Sequence, residues 1–159
     1  VTTRFMVWIH PDNRGVLIRR KFDYVYPNQH ARVHVKEPAS NDWKYAGEWY
    51  TAGSNTCVYS RPVGSNFTEA ELAPTEHHVI TSNRRWREEE FLVASELTMG
   101  LDSLDIKIEH IPSEVQLFPG HDFPKKSYWS ESRYKIYCYG LPVMDEIIRN
   151  GAHSRFKPR

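Results

Sequence analysis

At 159 residues the chain has the length of one domain, because a single core of this size buries roughly 70% of the surface that its unfolded form exposes. Lys and Arg number 21 against 20 Asp and Glu, a formal net charge of +1, so no whole-molecule field exists to gather nucleic acid or anionic lipid. No apolar run approaches the roughly 18 to 20 residues that cross a bilayer, which argues against a membrane partner. Val1 stands where a Met would begin a primary product, which leads us to expect a processed form whose targeting segment has gone.

The predicted elements are almost all strands, since β-branched and aromatic residues cluster in short runs divided by Pro, Gly, Asn and Asp. Arg4 to Ile9 leads to a turn over Pro11 to Gly15, and Val16 to Tyr26 returns, so the opening reads as a hairpin. After Pro27-Asn28-Gln29, the segment His30 to Lys36 alternates at period two. That pattern buries Ala31, Val33 and Val35 and turns Arg32 and His34 outward. Tyr45 to Thr51 and Cys57 to Arg61 are further strands, separated by the turn Ala52-Gly53-Ser54-Asn55. An irregular stretch from Pro62 to Thr75 follows. Strands are then expected over His77 to Thr81, Trp86 to Val93 and Leu104 to Ile111, with a turn or short helical turn at Glu96 to Gly100. Beyond a Pro-rich loop, Tyr128 to Tyr139 closes the sheet system, and Met144 to Arg149 forms a short helical tail ended by Asn150-Gly151. About eight strands in one domain over residues 1–159 make an all-β, antiparallel β-sandwich of jelly-roll type, because two half-buried sheets must cover each other.

Two features point to secretion. The sequon Asn66-Phe67-Thr68 lies in a turn-rich stretch suited to glycosylation, and Cys57 and Cys138 either pair as one disulfide in an oxidising compartment or remain thiols, Cys138 within a strand. Geometry decides between the two.

Four segments in this order resemble a known family: Gly15 to Arg20 leading to Pro27-Asn28-Gln29 and Ala31-Arg32-Val33; Gly47-Glu48-Trp49-Tyr50; Arg84 to Phe91; and Trp129 to Tyr134. They are similar to the C-terminal jelly roll of glycoside hydrolase family 172, the α-D-fructofuranosidase and difructose-dianhydride synthase family, over most of the chain from Gly15 to Tyr139. The resemblance implies a domain that assembles into trimers or larger rings beside a catalytic jelly roll holding paired glutamates. The segments associated with that catalytic half have no counterpart here, so its acid pair has no positions to carry over, and the likeness bears on fold before activity.

The densest polar segment, Asn83 to Glu90, mixes guanidinium forks, an indole and carboxylates. Aromatic planes cover apolar sugar faces, and Arg and Glu bond vicinal hydroxyls, so Arg84, Arg85 and Trp86 are candidate carbohydrate-binding residues; a solvated ladder of ion pairs is the alternative. Trp49 and Tyr50 form a second candidate platform, although alternation lets only one of them face outward. If the chain were itself a hydrolase of fructosides or arabinofuranosides, the local carboxylates would be Glu89, Glu90 and Glu131, two of them about 5 to 10 Å apart across a cleft. A structural Glu131 paired with Arg84 or Arg133 is the competing assignment. Glu76-His77-His78, with His10, His30 or His121, invites a metal reading, but adjacent histidines on a strand face opposite ways, so no metal is expected. No Cys-x-x-Cys spacing and no nucleophile elbow occur, and no cofactor is expected. The sequence therefore leads to a secreted jelly-roll module for glycan recognition, for assembly as a homo-oligomer or with a catalytic domain, or for both.

Overall fold

The computed structural model describes residues 1–55, 57–62, 75–80, 86–113 and 128–140, with the backbone alone for 57–62 and 75–80. The sequon at Asn66, the pair Arg84 and Arg85, His121 and the predicted tail Met144 to Arg149 lie outside the described residues.

Among the described residues nine strands run in chain order: β1 Thr2–Trp8, β2 Val16–Asp23, β3 Gln29–Lys36, β4 Lys44–Thr51, β5 Cys57–Pro62, β6 Thr75–Ile80, β7 Trp86–Val93, β8 Ser103–His110 and β9 Arg133–Cys138. A single 3-10 turn, Ser95–Leu97, joins β7 to β8 where a turn was expected. Seven of the strands form two antiparallel sheets, ordered β1-β8-β3-β4 and β7-β2-β9, while β5 and β6 pair with each other. The fold is thus the antiparallel sandwich that the period-two pattern requires. A jelly roll of eight strands pairs first with last and second with last but one; counted over β1 to β8, the pairs β1 with β8 and β2 with β7 match that scheme in opposite sheets. The inner strands depart from it, since β3 takes β4 as a hairpin neighbour and β9 adds to the free side of β2.

The expected opening hairpin is not formed. β1 and β2 lie in different sheets, and the turn between them is an arch across the edge of the sandwich. Asn13, fully buried, holds that arch: its amide nitrogen donates to His10 O at 2.6 Å and Thr98 O at 3.0 Å, and its Oδ1 accepts from Gly15 N at 3.0 Å and Thr98 Oγ1 at 2.6 Å. Turn residues alone do not distinguish a hairpin from an arch, because both need a chain reversal.

The core lies between the sheets. Ala31, Val33 and Val35 of β3 and Leu104, Ile106 and Ile108 of β8 meet Val16 and Ile18 of β2 and Val93 of β7, all essentially without solvent exposure. Each Val, Leu or Ile among them contributes about 1.5–3 kcal/mol of burial, which is why the alternation decides the face of every strand. Cys138 is a free, half-buried thiol whose Sγ accepts from His10 N at 3.2 Å, so the disulfide reading is not realised. No helix among the described residues is long and apolar enough to cross a membrane.

Candidate functional site

The inward positions of β2 read Val16, Ile18, Arg20 and Phe22, so an arginine occupies a core position. Arg20 has no solvent exposure. Its guanidinium carbon lies 3.4 Å from the Trp129 ring centroid, 4.0 Å from Phe22 and 5.2 Å from Trp49, an aromatic box that replaces water with ring faces. Nη1 donates to Gln29 Oε1 at 3.2 Å and Ser130 O at 3.3 Å, and Nη2 donates to Thr51 Oγ1 at 2.9 Å. Thr51 passes the contact on by donating to Glu89 Oε2, which stands 4.0 Å from Arg20 Nη2. Burial pulls the Arg20 pKa down to about 10, with Tyr134, Glu89 and Glu131 opposing the shift, so the group stays charged at neutral pH.

This centre gathers three of the residues singled out in the sequence, in roles that hold the core together. Trp49 is buried against Phe91 and Trp129, with ring centroids 5.5 and 5.6 Å away. Glu89 points inward, held by Thr51 and by Arg87 at 3.2 Å. Glu131 accepts from Thr3 Oγ1 and from Tyr134 Oη, and the same Tyr134 hydroxyl accepts from Trp129 Nε1 at 3.0 Å. Burial, followed by the Glu131 hydrogen bond, pushes the Tyr134 phenol well above its usual range, so it remains a donor. Glu131 pairs with this phenol, and Arg133, one of the two arginines expected to hold it, meets Glu88 instead. Glu90 departs to the opposite face of β7, which separates it from Glu89 and leaves those two unable to flank one bond.

The outer face of the β7-β2-β9 sheet is the ion-pair ladder that the alternative reading anticipates. Arg19 binds Glu90, its Nε donating at 2.7 Å, and Arg133 meets Glu88 at 3.3 Å. Lys21 Nζ sits 5.5 Å from the Trp86 ring. The strands do not bring Trp86 together with Trp49 and Tyr50: Trp86 faces out from one sheet, Trp49 fills the core, and Tyr50 faces out from the other sheet beside His30, ring centroids 5.4 Å apart. His30 Nε2 contacts Glu48 at 2.8 Å and His10 lies beside Asp12, while the side chains of His77 and His78 are not among those described.

The outer face of the β1-β8-β3-β4 sheet carries a site that sequence reasoning passed over. Lys36 Nζ donates to Pro38 O at 3.2 Å and Ser40 O at 2.8 Å and pairs with Asp105 at 3.0 Å, which folds the loop after β3 back over the sheet. The loop delivers the half-buried Trp43 indole onto three cations: Lys107, Lys36 and Arg4, at 5.1, 5.4 and 5.8 Å from its centroid. Beside it an open groove of about 340 Å³ is lined by Arg4, Met6, Lys36, Trp43 and Asp105 over Phe5 and Ile106. An indole at the end of a Pro38-to-Asp42 loop, followed at once by Lys44, was the available signal.

Comparison of the chain with models of known families, with curated proteins and with solved structures gave no match.

Proposed function

We propose that this chain is a jelly-roll-type module that holds a glycan on the outer face of its four-stranded sheet, beside a catalytic jelly roll or further copies of itself. The observation that carries the reading is the Trp43 shelf over an open groove of about 340 Å³ rimmed by charged side chains. A flat indole takes the apolar face of a sugar ring, and guanidinium, ammonium and carboxylate groups bond its hydroxyls. The resemblance to the C-terminal jelly roll of family 172 supports the same ligand class. Strands β1 and β4 end one sheet and β7 and β9 the other, and strand edges favour assembly with a second copy. Secretion rests on the Asn66 sequon, since Cys138 is free.

A glycan array that includes fructosides and arabinofuranosides tests the reading. Saturable binding is expected, lost in Trp43→Ala and kept in Trp86→Ala; silence from the folded protein overturns it. Light scattering at high concentration is expected to find more than a monomer. Hydrolysis is assigned to the partner domain, so the chain alone should release no sugar. Turnover abolished by Glu131→Gln would replace this reading with that of a compact hydrolase.

A further inference from the structure

The three cations around Trp43 are not equivalent. Lys36 has three protons and three acceptors, Pro38 O, Ser40 O and Asp105, so its charge is spent on the loop. Lys107 pairs with Glu109 at 3.3 Å, and the same carboxylate oxygen lies 3.2 Å from His34 Nδ1. Arg4 has no carboxylate within ion-pair distance among the described residues, and its guanidinium is exposed. Strand register makes this a local excess of positive charge. Arg4 sits directly opposite Lys107, and Lys107 directly opposite His34, a row of basic groups across β1, β8 and β3. Like charges in facing positions repel, and a bound anion relieves the repulsion. The His34 pKa is lowered by burial first and by Lys107 next, with Glu109 opposing the shift.

Resting on the glycan reading above, we infer that the sugar unit held at Trp43 is a carboxylated one, a uronate, with its carboxylate on the Arg4 guanidinium. The planar fork of Arg matches a carboxylate bidentately, while the indole takes the face of the same ring. Asp105 does not repel such a ligand strongly, because Lys36 neutralises it.

The test is calorimetric titration of the whole chain with a galacturonate trisaccharide, the neutral galactose trisaccharide of the same linkage, and a sulfated galactose trisaccharide. The uronate should bind about tenfold tighter than the neutral sugar, as one exposed charge-assisted contact provides. Arg4→Gln, whose melting temperature should match the parent's, should remove that preference and leave neutral binding intact; Trp43→Ala should remove both. Equal affinities, a preference that survives Arg4→Gln, or a stronger preference for the sulfated sugar would each overturn the inference while leaving the glycan reading standing. Failure of all three sugars, together with silence on the array, would remove the glycan reading itself.

Discussion

Arg20 and Trp129 stack inside the core, guanidinium carbon 3.4 Å from ring centroid. The contact joins the middle of β2 to the segment before β9, and Gln29 reinforces it by accepting from both Arg20 Nη1 and Ser130 N, the latter at 2.9 Å. A buried charge is tolerated there because ring faces, two side-chain oxygens and a backbone carbonyl replace its hydration.

Replacing Arg20 should therefore be costly. Arg20→Met keeps volume but leaves Gln29 Oε1 and the Ser130 carbonyl short of a donor, and we expect a loss of about 2–4 kcal/mol in urea unfolding. Arg20→Lys should not recover it, since one ammonium cannot reach the Gln29, Thr51 and Ser130 acceptors in a plane. Wild-type stability in the Lys variant would refute the fork geometry.

Glu131→Gln should cost about 1–2 kcal/mol, because the side chain ties Thr3 of β1 to Tyr134 of β9 through two hydroxyl donors. Glycan affinity should not change. A fall in binding with stability preserved would move Glu131 from a tie between sheets to the ligand site.

Gly15→Ala tests the arch. Gly15 has φ +124°, and an added Cβ would lie 2.9 Å from the Val93 carbonyl oxygen, a backbone atom that cannot swing aside. We expect a loss of about 2 kcal/mol or more by chemical denaturation. A neutral effect would mean that the β1–β2 connection is more pliant than the buried Asn13 contacts imply.

Acid should weaken the fold in two stages. His34 and His110 are held below their unfolded value of 6.5 by burial, aided by Lys107 and by the N-terminal ammonium respectively. Glu48 is held below 4.5 by its hydrogen bond to His30. A group whose pKa falls on folding adds stability that is complete above the unfolded pKa and lost as pH drops through the folded one. Melting temperature should thus decline below about pH 6.5 and again below about pH 4.5, and His34→Gln should flatten the first stage. A melting temperature that rises between pH 7 and pH 5 would contradict this.

Thiol titration of the denatured, unreduced chain should find both Cys57 and Cys138, with equal melting temperatures with and without reductant. A single bridged pair would contradict the free Cys138.

Much of the fold was readable from local pattern. Ala31, Val33 and Val35 alternate cleanly because β3 lies inside its sheet with the core on one side, and Trp86 to Val93 matches β7 residue for residue. The rest depended on distant partners. Arg20 shares the inward parity of Val16, Ile18 and Phe22, yet an arginine reads as exposed, and its box comes from Trp49, Thr51 and Trp129, far along the chain. The same holds at the surface: Trp43 became visible only once Lys36 had folded its loop onto Arg4 and Lys107 of two other strands.

The stacking of Trp129 on Arg20 also carries an expectation for folding during synthesis. A ribosome-bound chain that has not yet emitted Tyr128 to Cys138 holds β2 without its β9 neighbour and Arg20 without its largest ring. The central cation should therefore be covered only after β9, the last of the described strands, has left the exit tunnel.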